Sequence, residues 1–409
     1  MWQDFDILIV GAGLSGAVLA ERYAAIGKKI LVLEKRDHIG GNCYDEVNSA
    51  GIRVSRYGAH LFHTNDEEVN TYIHRFGEWV PYEHRVLSKV SRTYVPLPVN
   101  IHTVNKLFKT DIQTPDEMQC WLDEHQVTYP HQPRTSEELG LSRFGRVLYQ
   151  KLFLPYTQKQ WERHPKHLDA SVIGRIPLRL STDDRYFTDK YQYLPKHGYT
   201  SFFEKMLRHP RIKVMLNTDY FDLKEQIEQS NQERRTSRGS SNHPFEKIFY
   251  TGPIDQFFEF QQKLGSTLEY RSLRFEPEWY ELPSRKTFWQ PAAVINYPSL
   301  RVPFTRTVEY KHFTQVVDPG IAHQRRTLVI KEYSISHGEP YYPVPNARNQ
   351  SLYEDYRRHA EQLSQEGIYF VGRLANYKYF NMDQAIKNAL ELFHQLEGRV
   401  HTEKDVYYA

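Results

Sequence analysis

The fold is decided by DILIVGAGLSGAVLAERYAAIGKKILVLEKRDHIGGN, residues 6–42. Its first five residues include an apolar run of the type that forms a buried parallel strand. A glycine-rich turn leads into a helical stretch (14–25) that Gly27 closes, and a second apolar strand (29–34) follows. This strand–helix–strand order predicts a parallel sheet covered by helices, and therefore an α/β fold.

The turn contains three glycines, Gly11, Gly13 and Gly16, in the spacing G-x-G-x-x-G. The first permits a tight turn, the second lets the backbone approach a pyrophosphate, and the third lets the helix pack on the strand. Glu34 ends the second strand, where a carboxylate can accept hydrogen bonds from a ribose hydroxyl. Together these residues predict a dinucleotide-binding site.

An arginine and a pair of glycines follow Glu34, at Arg36 and at Gly40 and Gly41. This pattern resembles the extended fingerprint of FAD-binding proteins of the glutathione-reductase and amine-oxidase types; a plain glycine turn is the alternative. The strand and helix expected at 368–383 resemble the second FAD contact of those families. Both ends of the chain are therefore expected to build one domain, with the middle inserted into it.

The composition is that of a globular protein of 409 residues, with 53 Lys and Arg against 50 Asp and Glu and a net charge of +3. Such balanced charge argues against a disordered chain and against a dedicated nucleic-acid binder. The N-terminal apolar stretch at 7–20 is too short to span a bilayer. Two cysteines, Cys43 and Cys120, cannot build a disulfide framework, so we expect a cytoplasmic protein without a membrane span.

Helical and extended patterns divide the rest of the chain. Apolar periodicity predicts helices at 114–126 and 137–154 and an antiparallel sheet within 265–335. The polar stretch 228–243 lacks such periodicity and predicts a solvated surface loop. Short apolar runs predict further strands at 211–216, 247–250 and 368–372. The expected architecture is a Rossmann-like FAD-binding domain (1–80, 198–260 and 365–409), an inserted helical domain (81–165) and an antiparallel β-sheet domain (166–197 and 261–364).

Two histidines, His60 and His63, stand three residues apart in YGAHLFHT. They could be metal ligands, a structural pair or neighbours of the flavin, but the sequence offers no further Cys, His and Asp cluster to complete a metal site. The segment PYTQKQW (155–161) predicts a loop that carries aromatic rings and a cation. The sequence has no Gly-x-Ser-x-Gly elbow and no Walker motif, and its arginines and tyrosines suit a clamped diphosphate.

Taken together, the motifs resemble bacterial UDP-galactopyranose mutases, flavoenzymes that interconvert UDP-galactopyranose and UDP-galactofuranose. The resemblance spans nearly the whole chain. It rests on GAGLSG, YGAHLFHT, PLPVNIHTVN, YTQKQW, IGRIPLR, LPKHGYT, YTGPID, LEYRSLRFE, PFTRTVEYKHF, EPYYPV and GRLANYKYFNMDQ, in this order.

The resemblance implies roles for individual residues. The implied catalytic residues are Arg175, Arg306, His60 and His63. The implied substrate-binding residues are Phe153 and Tyr156 at the uracil, Trp161 and Arg175 on mobile loops, Arg306 beside Arg175 at the diphosphate, and also Tyr186, Arg271, Tyr342, Tyr379 and Asn381. The implied cofactor-binding residues are Gly11, Gly13, Leu14, Ser15, Gly16, Glu34, Lys35, Gly41, Asn42, His60, Arg373 and Met382.

The family also implies a cofactor and partners. FAD would be active when reduced, with a flavin nitrogen as the covalent nucleophile at the anomeric carbon. Because no net electrons flow, an external reductant such as NAD(P)H or a flavin reductase would only start the reaction. The substrate would be UDP-galactose or UDP-galactofuranose, and the assembly a homodimer. Two alternatives stay open: an FAD-dependent oxidoreductase of the amine-oxidase type, and a non-catalytic nucleotide-sugar-binding protein.

The chain departs from the family pattern at two positions. Asn381 stands where the family commonly has Asp, and His84 stands where many relatives have Asn. An amide donates and accepts hydrogen bonds but cannot act as a charge or a base. A mechanism that needs a carboxylate at position 381 is therefore in question, and uridine contacts near His84 are expected to differ locally.

Overall fold

A computed structural model describes residues 4–235, 245–258 and 267–398. Within them the strands, in chain order, are β1 Ile7–Val10, β2 Ile30–Leu33, β3 Asp45–Val47, β4 Arg53–Ser55, β5 Phe62–Thr64, β6 Trp79–Pro81, β7 Val86–Val90, β8 Thr93–Leu97, β9 Tyr191–Pro195, β10 Ile212–Met215, β11 Lys247–Tyr250, β12 Tyr270–Glu281, β13 Val294–Asn296, β14 Arg306–Glu309, β15 Arg326–Ile335, β16 Tyr342–Pro343 and β17 Ile368–Phe370.

The α-helices of the same residues are α1 Leu14–Ala25, α2 Glu67–His74, α3 Ile101–Phe108, α4 Pro115–His125, α5 Ser136–Leu148, α6 Leu154–Trp161, α7 Ser171–Gly174, α8 Tyr199–Leu207, α9 Tyr220–Arg235, α10 Ile254–Phe258, α11 Lys311–Val317, α12 Ala347–Ser364 and α13 Met382–Glu397.

A parallel sheet forms the cofactor end of the molecule. Its strand order is β10-β2-β1-β11-β17, so segments from the beginning, middle and end of the chain lie side by side. Ile7 and Ile9 face the core beneath α1 and α13, whereas Leu8 faces the opposite core together with α9. Burial on both faces explains why these strands are continuous apolar runs. The predicted α/β, Rossmann-like fold is confirmed, as are the short strands predicted for this sheet.

A seven-stranded sheet forms the second layer, in the order β16-β12-β15-β14-β13-β7-β8. Its pairs are antiparallel except for β13 with β7, which confirms the antiparallel sheet predicted within 265–335. The hairpin β7–β8 lies inside the region expected to be mainly helical (81–165). It is a sheet edge instead, because residues 86–97 alternate in the strand period and Ser91 adopts the left-handed turn conformation, with φ of 56°.

Helices α3 to α6 cover one flank of this sheet. Thr114 caps α4 and Thr135 caps α5, each exchanging hydrogen bonds with a glutamate three residues on. The predicted helix at 137–154 is broken at Gly145, where φ is 72°, and continues through a π-helical turn into α6. The prediction of a loop at 155–161 is wrong, because Pro155 occupies the first turn of α6, where a missing N–H does no harm.

The polar stretch 228–243 is also corrected in part. Helix α9 continues to Arg235, so the first half of the predicted loop is helical despite its polarity. The remainder, 236–243, lies outside the described residues. The three-domain division stays a prediction.

Candidate active site

The glycine-rich turn between β1 and α1 forms the floor of a groove. Gly11 has a φ of 102°, and a Cβ on Gly16 would stand 2.0 Å from the carbonyl oxygen of Gly11. A side chain would therefore strain the backbone at Gly11 and would clash with the backbone at Gly16, whether or not a ligand is bound. A Cβ on Gly13 would meet only the Cα of Gly41, at 3.8 Å. Gly13 thus leaves its space to whatever enters the groove.

Glu34 closes the same turn from β2. Its carboxylate accepts hydrogen bonds from the backbone N–H of Ala12, at 2.8 Å, and of Arg36, at 3.0 Å. The side chain lines the groove while it holds the two loops together. The lining includes these residues expected to bind the cofactor: Gly11, Gly13, Leu14, Ser15, Glu34, Lys35, Gly41, Asn42, His60, Arg373 and Met382. Gly16 lies beneath the groove, where α1 meets the turn.

The sequence reasoning missed several groove residues. They follow the carboxyl ends of β10, β11 and β17, where ligands collect in open parallel sheets. One of them, Gly372, has a φ of 100° and would place a Cβ 2.7 Å from the Ser15 hydroxyl. The missed lining residues include Thr218, Asp219, Tyr220, Thr251, Gly252 and Gly372. The sequence could have located them, because each follows the end of an apolar strand, at 215, 250 or 370.

A second cleft adjoins the groove. The two cavities share Asn42, His60, Tyr341, Arg373, Asn381 and Met382. The cleft brings together these residues expected to bind the substrate: Tyr156, Arg175, Tyr186, Arg306, Tyr342, Tyr379 and Asn381. It also contains His63, which was expected to be catalytic. A ligand in the cleft can therefore meet the end of a dinucleotide in the groove.

Arg306 enters the cleft already paired. It begins β14 and stands directly opposite Glu332 on β15, whose carboxylate accepts from its Nε. Glu332 is 1% exposed. Burial by itself would lower the pKa of Arg306, but the Glu332 charge raises that pKa well above its ordinary value. The guanidinium is thus a fixed positive charge at the cleft wall.

Arg175 lies at the opposite lip, just after α7. Its Cζ stands 3.7 Å from the centre of the Tyr379 ring, and its Nη2 donates to the Asn381 side-chain oxygen at 3.0 Å. Tyr342 stacks on Tyr379 with ring centres 4.9 Å apart. Asn381 therefore positions an arginine in this chain, a task that needs an acceptor but not a charge.

The tyrosines of the cleft remain hydrogen-bond donors. Burial raises the pKa values of Tyr156, Tyr186 and Tyr342 above the ordinary value of 10.0. Protonated phenols beside two guanidinium groups suit the oxygens of a bound diphosphate.

The two predicted histidines have different partners. His60 is half-buried, and the loss of solvent around its ring lowers its pKa to about 4. Its Nδ1 lies 2.9 Å from the Gly58 carbonyl oxygen. A carbonyl can only accept, so the neutral ring keeps its proton on Nδ1. His63 is held by Asp189, whose Oδ2 lies 2.9 Å from Nδ1, and its ring stacks on Phe187 with centres 3.7 Å apart.

Three residues expected at the substrate are placed outside the lining of the cleft. Phe153 is buried and stacks on Phe144, with ring centres 4.2 Å apart. Trp161 is buried against Leu168 and Val344. Arg271 is buried beside a separate cavity, where its Nη1 donates to Glu162 at 2.8 Å.

Lys159, the cation of the YTQKQW segment, also makes hydrogen bonds within the protein. Its Nζ donates to the carbonyl oxygens of Tyr297, Val302 and Phe304. The side chain therefore fastens α6 to the loop that precedes Arg306.

His84 lies in the cleft wall, next to Tyr186. Its side chain is buried, and burial lowers its pKa to about 3. Its Nδ1 lies 3.2 Å from the Tyr82 hydroxyl. This chain thus places a neutral imidazole where many relatives are expected to carry an amide.

Because His60 and His84 are neutral when folded, acid should destabilise the protein. Unfolded histidines take up protons below their ordinary pKa of 6.5, so stability falls as pH drops from 6.5 toward 4 for His60 and toward 3 for His84. Between pH 7 and pH 5, the free energy of unfolding should fall by about 2 kcal/mol less in His84→Asn than in the wild type. Thermal unfolding at pH 7 and pH 5 measures it, with exposed His102→Asn as the control. Equal acid sensitivity in His84→Asn and wild type would refute the assignment.

Two stretches of the sequence match known protein families. Residues 9–76 match a NAD(P)-binding Rossmann-like domain, and residues 151–379 match the family described as UDP-galactopyranose mutase. The fold and the groove define an enzyme with a Rossmann-like cofactor domain, and the mutase family match supports a flavin as its cofactor. The chain belongs to the UDP-galactopyranose mutase family, because that match covers more than half of its 409 residues.

Individual relatives agree over nearly the full length. A probable UDP-galactopyranose mutase of Klebsiella pneumoniae is 36% identical, covering 98% of this chain and 97% of the relative. A dTDP-fucopyranose mutase of Escherichia coli is 35% identical, covering 94% of this chain and 96% of the relative. The crystal structure of a reduced UDP-galactopyranose mutase superposes with a TM-score of 0.72 at 17% identity, covering 96% of both chains, and so supports the fold. The resemblance inferred from the motifs is confirmed. Among the described helices, none has the length and apolar character needed to cross a membrane.

Proposed function

We propose that this protein interconverts UDP-galactopyranose and UDP-galactofuranose, with FAD bound in the groove and active when reduced. The observation that carries the proposal is the junction of the two cavities, where a cleft lined by Arg175, Arg306 and Arg373 opens into a dinucleotide groove. The glycine turn fits such a cofactor, because only Gly13 leaves open space toward the groove. An external reductant such as NAD(P)H or a flavin reductase, and a homodimeric assembly, are part of the proposal.

The cofactor and the chain have separate tasks. Reduced flavin supplies the nucleophile for the anomeric carbon of the sugar. Arg306 and Arg175 neutralise the diphosphate as UDP leaves and hold it for its return. The protonated phenols of Tyr186 and Tyr342 donate hydrogen bonds to the same oxygens.

The uracil is assigned to the α6 side of the cleft. Tyr156 lies on α6 and lines the cleft, so its ring can stack on a base. Phe153 precedes it by one turn and supports the helix from behind through its stack on Phe144. Trp161 closes the same helix and is buried against residues near Tyr342, which couples α6 to the far wall.

Arg175→Ala should lower kcat/KM roughly 10- to 100-fold, because the diphosphate loses one of its two cationic partners. The effect should be smaller than at Arg306, since Arg175 is exposed to solvent. Arg175→Lys keeps the charge but not the planar stack on Tyr379, and should recover only part of the loss. Steady-state kinetics of the reduced enzyme measure both variants. Near-normal turnover of Arg175→Ala would remove this residue from the substrate site.

One relative supports a second candidate substrate. The similarity to a dTDP-fucopyranose mutase is nearly as extensive as that to a probable UDP-galactopyranose mutase. Both substrates carry a pyrimidine nucleotide and a diphosphate, so the two arginines cannot separate them. Discrimination between the two substrates therefore depends on contacts to the base and to the sugar.

Parallel incubations test the proposal. The reduced protein is supplied with UDP-galactofuranose or with dTDP-fucopyranose, and products are separated by chromatography. We expect UDP-galactopyranose to form, with a higher kcat/KM than for the dTDP sugar. A preference for the dTDP sugar would establish the second candidate, and conversion of neither would refute the proposed function.

A further inference from the structure

The proposed reaction has a proton requirement that the arginines and phenols leave unmet. Closing a six-membered galactose ring uses oxygen 5, and closing a five-membered ring uses oxygen 4. Conversion of pyranose to furanose therefore breaks the C1–O5 bond, whose electron pair stays on O5, and forms a C1–O4 bond. One proton must arrive on O5 and one must leave O4, with no net gain or loss. A group that can donate and then accept a proton near neutral pH meets this requirement.

Most titratable groups of the cleft do not fit this role. Burial raises the pKa values of Tyr156, Tyr186 and Tyr342 and lowers those of His60 and His84, so these five groups keep one protonation state around pH 7. Arginines stay charged throughout.

His63 is built differently from the other two histidines. Strand β5 pairs with β9 so that His63 stands opposite Gln192, and this register brings the ring to Asp189, just before β9. Asp189 accepts from Nδ1 through Oδ2 at 2.9 Å, and its Oδ1 accepts from the Asn65 side-chain amide at 2.8 Å. The Asn65 oxygen in turn accepts from the backbone N–H of Lys190 at 2.8 Å. The carboxylate is thus fixed from both sides.

This arrangement leaves one ring nitrogen for the cleft. Because Nδ1 donates to Asp189, the neutral ring carries its lone pair on Nε2. The described residues offer Nε2 no hydrogen-bond partner within reach, and the His63 side chain lines the cleft. Phe187 fixes the plane of the ring by stacking on it at an interplanar angle of 17°.

Within the described part of the chain, three charged or titratable groups lie close to the ring. Asp189 contacts it from the segment before β9, Asp383 approaches from α13, and His84 from the segment before β7.

We propose that His63, oriented by Asp189, carries the proton between the two sugar oxygens, an inference that rests on the proposed function. Protonated His63 gives its Nε2 proton to O5 as the C1–O5 bond breaks. The neutral ring then takes the O4 proton as the C1–O4 bond forms, so His63 ends in its initial state. His63 is the catalytic residue of this step, and Asp189 is its positioning residue.

Asp189→Asn tests the pair with little change of shape. We expect kcat to fall roughly 10- to 100-fold, with KM and flavin absorbance unchanged, since general acid–base catalysis contributes about 10²- to 10⁴-fold. The ring also loses its charged neighbour at Nδ1, so the kcat–pH profile should differ from that of the wild type. The matched control is Glu68→Gln, which removes the carboxylate from a surface pair with His394, at 3.0 Å, and should leave kcat and the profile unchanged.

His63→Ala supplies a readout that a structural role would not give. Its turnover should fall at least as far as that of Asp189→Asn, and added imidazole should restore part of it in proportion to the imidazole base. Wild-type kcat and an unmoved pH profile in both variants would overturn the assignment. So would a loss in His63→Ala that imidazole does not relieve while flavin stays bound. Those results leave the proposed function standing, which falls only if the wild type fails to interconvert the sugars.

Discussion

Arg306→Ala should reduce kcat/KM by about 10²- to 10³-fold, the largest catalytic loss expected for a single side chain of the cleft. Arg306, unlike Arg175, is held by a buried carboxylate. This carboxylate belongs to Glu332, which stands opposite Arg306 where β14 pairs with β15. The charge of Arg306 is therefore in place before the diphosphate arrives, and little reorganisation is needed as UDP leaves. Kinetics of the reduced, flavin-loaded enzyme measure the loss.

A second variant separates catalysis from folding. Arg306→Ala leaves Glu332, which is 1% exposed, as an unpaired buried charge, and this should destabilise the protein by about 3–5 kcal/mol. The double variant Arg306→Ala/Glu332→Gln removes that charge, so it should regain stability without regaining turnover. Arg274→Ala is the control, because Arg274 lies on β12 of the same sheet and pairs with Glu276 at the surface, at 3.3 Å. Recovery of turnover in the double variant would show that Arg306 acts on folding alone.

Gly13→Ala should abolish tight flavin binding while the protein itself stays folded. The added methyl group would meet only ordinary contact at 3.8 Å within the chain, yet it would occupy the space where a pyrophosphate approaches the backbone. We expect the purified variant to be colourless and to unfold at the temperature of the wild-type apoprotein. Flavin absorbance and thermal unfolding of the apoproteins are the measurements.

Two other glycines make this comparison sharper. Gly16→Ala places its methyl group 2.0 Å from the Gly11 carbonyl oxygen and should destabilise the apoprotein as well. Gly77→Ala meets its nearest neighbour at 3.6 Å, away from the groove, and should keep the flavin. Flavin retained by Gly13→Ala at wild-type affinity would contradict the placement of the cofactor.

The parts of the fold that could be predicted from sequence are those set by local chemistry. The β1–α1–β2 unit follows from apolar runs and glycine spacing within 6–42, and the caps of α4 and α5 follow from residues three positions apart. The hairpin at 86–97 was missed because its strands are short and its partner β13 lies two hundred residues further along the chain.

The candidate site could be predicted in its components but not in its pairings. Sequence motifs pointed to Arg306 and His63, whereas their partners Glu332 and Asp189 follow from the register of β14 with β15 and of β5 with β9. No local pattern contains such information. Lys159 is a further example, because the sequence predicted only a cation on a loop, whereas the residue lies on α6 and donates to three backbone carbonyls far along the chain.

The proposed reaction is an isomerisation that needs reduced flavin but transfers no net electrons. The most direct test is chromatography of UDP-galactofuranose incubated anaerobically with the flavin-loaded protein, with and without dithionite, while reductant consumption is followed. We predict conversion to UDP-galactopyranose only after reduction, with many turnovers per reducing equivalent. Conversion that ignores the flavin redox state, or flavin reoxidised in step with a changed sugar, would contradict this account.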